Sequence, residues 1–423
     1  MTNKKVSNQL KKAKSASATL GLMPHAKRNA ILKTLAKLLR KNKNTIIREN
    51  AKDVKSFIKE RGENHPMADR LILNSTRIEG MARELESLAK MGDPIGELFD
   101  CKNKSGLKIC RKRVPLGVIG VIYESRPNVT TDVAGICIKS GNAGVLKGGK
   151  EAKRSYVILH KIIREALKKG GADPEAIQFL SPEVKDSALT MIRANGLVDM
   201  VVPRGSAGLI KFVRENATVP AIETGAGVCH TFVDKYAKLD ASAKVIFNAK
   251  TQRPSVCNSL DTLIIDRAVA KTLLQKIGKL LQAKKVEIFA DPASYKILQS
   301  VYPKNLLKKA RPGDFGREFL DLKMSVKVVS GIDEAIKFIK SKTSGHSEAI
   351  LSENKANRER FLNEIDSAVV YANASTRFSD GAVFGLGSEI GISTDKVHAR
   401  GPMGPKEMTT YKWVVSGHYS TRK

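Results

Sequence analysis

Apolar positions recur every three or four residues over residues 1–100, the period of amphipathic helices. Ile31, Leu35, Leu38 and Leu39 make one such stripe, with Lys27, Lys33, Lys37 and Arg40 between them on a solvated face. The helical pattern ends near Met91-Gly92-Asp93-Pro94, and residues 101–114 read as a hairpin turning at Lys104-Ser105-Gly106. From there the period changes. VPLGVIGVIY (114–123), AGVLKGG (143–149), AIQFLS (176–181), LVDMVV (197–202) and TVPAIE (218–223) read as strands. Helical patterns fill the gaps: TTDVAGICIKSGN (130–142), residues 151–169, a segment capped at Ser181-Pro182-Glu183 and running to Asn195, and one opening at RGSAGLIKFV. Strands alternating with helices at this spacing imply a parallel sheet with right-handed crossovers, with ligands beyond the carboxyl ends of the strands. Those ends carry Arg126-Pro127-Asn128, Lys147-Gly148-Gly149-Lys150, Arg204-Gly205-Ser206 and Glu223-Thr224-Gly225. A second unit of mixed type follows over 228–385, with KTQRPSVCNSLDTLIID (250–266) near its start.

Composition narrows the class. At 423 residues and 42% hydrophobic, the chain can bury a large core and form two to three domains. Aromatics at 5% suit an α/β protein better than an aromatic-rich all-β one. Five cysteines, an odd number spread over a large chain, do not suggest a secreted disulfide framework, so a reducing cytoplasm is expected. No 18-residue apolar span occurs and the lysine-rich start lacks an apolar stretch, so neither a membrane span nor a signal peptide is expected. The formal net charge is +32, and residues 1–60 alone hold 16 Lys/Arg against 3 Asp/Glu. That raises nucleic acid as a partner. Zinc-finger spacings, an aromatic RNA-binding run and an arginine-rich tail are all missing, so no specific nucleic acid is expected. The lysines read as a solvated surface with non-specific phosphate attraction.

Three stretches carry chemistry. GVLKGGKE (144–151) is one residue from a P-loop, but Glu151 replaces the magnesium-binding hydroxyl and Val145-Leu146 falls inside the loop, which excludes an ATP site. Lys147, Lys150, Lys153 and Arg154 instead crowd a strand end and a helix start. Cations there oppose the helix dipole at roughly a few tenths of a kcal/mol each. Either a bound anion, such as a nucleotide phosphate, removes that penalty or the long side chains reach solvent. PRGSAG (203–208) places small residues at a strand-to-helix junction where backbone N–H groups can meet a pyrophosphate. Cys257 sits between a polar loop and an apolar strand, with Arg253 four residues before it and Asn258 and Ser259 after it. A nearby cation favours a nucleophilic thiolate. The alternative, a small buried hydrophobe, suits Cys137 and Cys229. No metal-ligand spacing and no G-x-S-x-G elbow occur, so neither a metal site nor a serine hydrolase is expected.

Five stretches together resemble the aldehyde dehydrogenase superfamily, specifically its γ-glutamyl phosphate reductase branch. They are PLGVIGVIYESRPNVTTDVAGICIKSGNAGVLKGGKEA (115–152), VPRGSAGLIKFV (202–213), VPAIETGAGVCHTFVD (219–234), NAKTQRPSVCNSLDTLIID (248–266) and VFGLGSEIGISTDKVHARGPMG (383–404). The resemblance implies an α/β fold with a Rossmann-like NADP-binding domain (1–100 and 115–227, with 386–404 returning to it). It implies an α/β catalytic domain over 228–385, and a small oligomerisation flap from 101–114 and 405–423. Cys257 falls at the nucleophile and Asn128 at the oxyanion-hole asparagine. Lys147 matches the adenosine-ribose lysine, Gly205 and Ser206 the cofactor-facing turn, and Glu318, loosely, the nicotinamide-ribose carboxylate. Lys150 stands where NAD-preferring relatives often carry glutamate, which agrees with NADPH. Glu223 falls at the general base of hydrolytic relatives, although ETGAG replaces their motif. The implied reaction is NADPH-dependent reduction of L-glutamyl 5-phosphate to glutamate 5-semialdehyde and phosphate in proline synthesis. Arg253 and Arg126, flanking catalytic positions, are expected to meet the substrate's phosphate and carboxylate. A homo-oligomer and functional coupling to a glutamate 5-kinase are further expectations. Two rival readings stay open: a hydrolytic aldehyde dehydrogenase using Glu223, and a basic nucleic-acid-binding protein on an inactive scaffold.

Overall fold

The structure, a computed structural model, describes residues 2–422 apart from 64, 66 and 125. It divides into two compact units. The first comprises Met1–Thr224, Gly385–Gly391 and Val397–Lys423; the second comprises Gly225–Phe384 and Ile392–Lys396.

The first unit opens with helices α1 (Thr2–Leu22), α2 (His25–Lys41), α3 (Lys43–Arg61), α4 (Ala68–Leu71) and α5 (Ser75–Lys90). The predicted stripe works as expected, since α2 buries Ile31, Leu35, Leu38 and Leu39. The hairpin forms from β1 (Leu98–Lys104) and β2 (Leu107–Pro115), and Ser105 and Gly106 both take positive φ at its turn. The chain continues through β3 (Val118–Tyr123), α6 (Val129–Lys139), β4 (Ala143–Gly148), α7 (Lys153–Lys169), β5 (Ile177–Phe179), α8 (Ser187–Ile192), β6 (Met200–Arg204) and α9 (Ala207–Asn216). Four of these strands form a parallel sheet in the order β5-β4-β3-β6. Its middle strand β3 is buried along its length, which is why it reads as a continuous apolar run.

Two sequence expectations fail here. The helix expected from Ser181 to Asn195 shrinks to α8, because Ser181 makes only a local turn with Glu183 and Asp186 then adopts a left-handed φ of 56°. The strand expected at 218–223 reduces to a single bridge between Val201 and Ala221, where Pro220 has no N–H to give a ladder. A third feature was not expected at all. Cys101 and Cys110 form a disulfide across the β1–β2 hairpin. The C-terminal strand Thr409–Ser416 pairs antiparallel with β2 and completes that sheet. Arg111 lies over both the Tyr411 and Trp413 rings of this strand.

The second unit contains β7 (Cys229–Val233), α10 (Leu239–Thr251), β8 (Leu260–Asp266), α11 (Arg267–Ala283), β9 (Glu287–Ala290), α12 (Pro292–Leu298), β10 (Leu307–Lys309), β11 (Lys323–Val329), α13 (Ile332–Lys342), β12 (Ser347–Leu351), α14 (Lys355–Glu364) and β13 (Val369–Ala372). Its parallel sheet runs β10-β9-β11-β8-β7-β12-β13. The run Leu260–Ile265 is wholly buried in β8, so the loop carrying Cys257 enters the sheet at its amino edge.

Candidate active site

Strand register gathers the first unit's polar segments. Tyr123 pairs with Gly148 on one side and Arg204 on the other. The described residues that follow, 124, 126–128, 149–150 and 205–206, therefore leave the sheet at one carboxyl edge. Lys147 ends β4 half-buried, its ammonium donating to the Gly148 carbonyl at 3.3 Å. Burial pulls Lys147 below the usual lysine value, and the Glu151 charge opposes that. A cleft of about 500 Å³ is lined by Lys150, Lys153, Arg154, Asp53, Glu151 and Glu183, among others. Lys153 pairs with Glu183, and Arg154 with the buried Asp53 at 3.5 Å. Lys150 is exposed and makes no hydrogen bond or ion pair among the described residues.

The turn at Gly205-Ser206 differs from expectation in one respect. Ser206 caps α9, its hydroxyl accepting the Leu209 N–H at 3.4 Å. The Glu124 carboxylate already accepts the Ser206 N–H at 2.8 Å and its hydroxyl at 3.0 Å. A Cβ at Gly205 would meet that carboxylate at 2.6 Å, so a side chain there would push Glu124 aside. An anion is therefore recognised at this helix start, and Glu124 supplies one.

Asn128 stands at the start of α6, and its amide donates to Asp132 Oδ2 at 2.9 Å. One amide hydrogen is thus committed and the other oriented. Burial first, then the charge of Glu84, pushes Asp132 well above the usual carboxylate range, against the hydrogen bond from Asn128. Arg126 is half-buried just before this turn, its carbonyl accepting the Val129 N–H at 3.1 Å. Glu223 is half-buried and pairs with Arg214 at 3.7 Å.

In the second unit Cys257 is half-buried, whereas the other free cysteines, Cys137 and Cys229, are fully buried. Its loop is held by backbone contacts. The Cys257 carbonyl lies so close to Gly227 that a Cβ there would meet it at 1.9 Å, and the same carbonyl accepts the Cys229 thiol at 3.2 Å. Burial pushes the Cys229 thiol well up, which keeps it a neutral donor. Cys229 is thus the buried small side chain that was expected, and its S–H adds a weak bond to the loop. Behind it, His346 Nδ1 meets the Cys229 sulfur at 3.7 Å and Ser347 Oγ at 2.9 Å, and Ser347 bonds Ser379 at 2.7 Å. Asn258 donates to the Ser379 carbonyl at 2.7 Å. Glu318 accepts the Gly227 N–H at 3.1 Å, which puts it beside the same loop.

Beneath this loop Asp261 accepts the backbone N–H groups of Phe319 at 3.0 Å and Cys229 at 3.4 Å, with the Lys250 ammonium 4.0 Å away. Burial raises Asp261 to about 7, the lysine opposing, and lowers Lys250 to about 8. The sequence reading missed Glu124, Asp132 and His346. Only Asp132 had a local signal, four residues from Asn128 on one helix.

Residues 1–295 match the aldehyde dehydrogenase family. The γ-glutamyl phosphate reductase of Legionella pneumophila (strain Paris) is 48% identical over 98% of each chain. The crystal structure of γ-glutamyl phosphate reductase from Thermotoga maritima is 43% identical, covers 99% of this chain and 100% of its own, and superposes with a TM-score of 0.92. The glyceraldehyde-3-phosphate dehydrogenase GapN of Methanocaldococcus jannaschii, solved in complex with NADP, shares the fold at 16% identity, 99% and 95% coverage and a TM-score of 0.71. The chain belongs to the aldehyde dehydrogenase family, on the branch whose curated members are γ-glutamyl phosphate reductases.

Proposed function

We propose that this chain reduces L-glutamyl 5-phosphate to L-glutamate 5-semialdehyde, releasing phosphate and consuming NADPH, as a step of proline synthesis in the cytoplasm. The observation that carries the reading is the Cys257 loop: a half-buried thiol with its own carbonyl clamped by Gly227 and Cys229. The Cys257 sulfur attacks the acyl carbon, and the carbon–oxygen bond to phosphate breaks with its electron pair leaving on phosphate. By the family resemblance, the Asn128 amide and the Cys257 backbone N–H are the donors for the oxyanion that forms, because fixed donors stabilise such a charge without reorganising. When bound, NADPH would supply a hydride to the thioester carbon, the addition that leads to the aldehyde. The carbon–sulfur bond then breaks and Cys257 is regenerated.

Lys147, Gly205, Ser206 and Glu318 are the residues that would hold the cofactor. The free ammonium of Lys150 beside the 500 Å³ cleft fits a 2′-phosphate. Binding of the pyrophosphate at Ser206 would displace Glu124 from the same donors. Glu223, tied to Arg214, is given no catalytic step, and Arg126 remains the choice for the substrate carboxylate. The exposed Tyr411, Trp413 and Val415 of the C-terminal strand favour self-association through that sheet. Coupling to a glutamate 5-kinase would shorten the free life of the acyl phosphate.

The test is NADP⁺ reduction with glutamate 5-semialdehyde, with and without inorganic phosphate, in wild type and Cys257→Ser. Turnover that requires both phosphate and Cys257 is expected. Phosphate-independent turnover would replace the reductase with a hydrolytic dehydrogenase.

A further inference from the structure

A second arginine stands on the Cys257 loop. Residues 375–379 form a short turn, Thr376–Phe378, capped by the Ser375 hydroxyl. That turn is stitched to the loop at three points. Thr376 Oγ1 donates to the Asn258 carbonyl at 2.8 Å, and Asn258 Nδ2 reaches the Arg377 carbonyl at 3.4 Å and the Ser379 carbonyl at 2.7 Å. The Arg377 side chain bends back to the loop, its Nε donating to Gln252 Oε1 at 2.9 Å. Gln252 is the neighbour of Arg253, so both arginines belong to the same end of the Cys257 loop, close enough for each charge to act on the other. The terminal nitrogens of Arg377 and the whole guanidinium of Arg253 have no hydrogen bond among the described residues.

Two cations side by side are costly unless an anion joins them. Burial and the Arg253 charge pull Arg377 below the usual guanidinium value, while Asp380 and the thiols of Cys257 and Cys229 act in the opposite direction. Asp380 is exposed and monoanionic, too little for both arginines. Paired guanidinium forks match a tetrahedral phosphate or a carboxylate through parallel N–H bonds, which a lysine cannot do.

We infer that Arg377 joins Arg253 in a two-guanidinium clamp that binds an oxyanion group of the substrate beside Cys257, Arg377 being the arm fixed in place. This rests on the proposed reductase reading for the identity of the substrate. Glutamyl phosphate offers two such groups, the leaving phosphate and the α-carboxylate, and kinetics separate them.

The experiment measures NADP⁺ reduction by glutamate 5-semialdehyde in the full chain, varying phosphate and semialdehyde in turn, for wild type, Arg377→Gln and Arg377→Lys. A rise of about tenfold or more in KM for phosphate, with kcat changed less and the lysine variant intermediate, assigns the clamp to the leaving phosphate. The same rise in KM for semialdehyde alone assigns it to the α-carboxylate. KM values within twofold of wild type for both overturn the clamp, whatever happens to kcat. If Arg377→Gln does not fold, the exposed Arg253→Gln is read by the same criteria. Wild-type turnover without phosphate dependence defeats the reductase reading instead. In that event iodoacetamide labelling of Cys257 still decides the clamp: inorganic phosphate or glutamate must slow labelling in wild type and not in the variant, and no protection by either overturns it.

Discussion

At the carboxyl edge of the first unit's sheet side chains mostly grip one another, whereas the bonds that hold the Cys257 loop of the second unit mostly run from a side chain to a main-chain carbonyl. At the first, Glu124 grips Ser206, Asp132 grips Asn128, and Lys153 and Arg154 lean on Glu183 and Asp53. At the second, a glycine, a carbonyl and a buried thiol fix the chain itself. Side-chain contacts of long residues rearrange on ligand binding at little cost. Backbone contacts do not, and a nucleophile gains from that because small displacements lower rates sharply. The difference separates a surface suited to gripping a large ligand from one suited to aiming a single atom.

The contrast can be broken most directly at Gly227. Gly227→Ala is expected to lower kcat about 10²-fold or more, since the new methyl must push the Cys257 carbonyl aside. Near-wild-type kinetics with an unchanged iodoacetamide rate would mean that the loop is as adjustable as the first unit's edge. A smaller effect of opposite sign is expected at Glu124. Glu124→Gln removes the charge competing at the start of α9, so KM for NADPH should fall several-fold with kcat little changed. A raised KM would show that the carboxylate organises the turn for the cofactor.

The smallest effect is a pH dependence beneath the loop. Asp261 titrates near 7 in the folded chain and near 4 unfolded, so the folded state holds an extra proton between those values. Its contribution to stability is complete below pH 4 and is lost as pH rises toward and through 7. Lys250, lowered to about 8, contributes in the mirror sense: full stability above the unfolded lysine value, lost as pH falls through 8. The melting temperature of wild type minus that of Asp261→Asn should therefore drop between pH 4 and 7.5, by about 2–4 °C or more. A flat difference would show that Asp261 titrates as an ordinary carboxylate.

Much of the site was legible because the polar and glycine-rich segments stand where apolar strands end. Cys257 is a candidate from its place between Arg253 and the run Leu260–Ile265, and the family resemblance is what puts it at the nucleophile's position. The unread parts come from contacts across long stretches of sequence. Ser206 and Glu124 are 82 residues apart, and Asn258 and the Arg377 carbonyl are 119 apart. No local pattern announces such pairs. The secondary-structure misses are local. Ser181 can cap a turn as well as a helix, and nothing before Asp186 signals its left-handed backbone. At 218–223 the apolar pattern suggests a strand, but Pro220 lacks an N–H and only a single bridge forms.

The burial of Cys229 and Cys137 has a practical side. Burial raises both thiols, Cys137 to about 12, while Cys101 and Cys110 are joined. Under non-reducing conditions a thiol reagent has one open target per chain, Cys257; after reduction of the hairpin it has two, since Cys101 is exposed and Cys110 is buried. Intact-mass spectra of a lightly labelled preparation would thus count competent nucleophiles and report the hairpin's oxidation state from the same sample, with no substrate in hand.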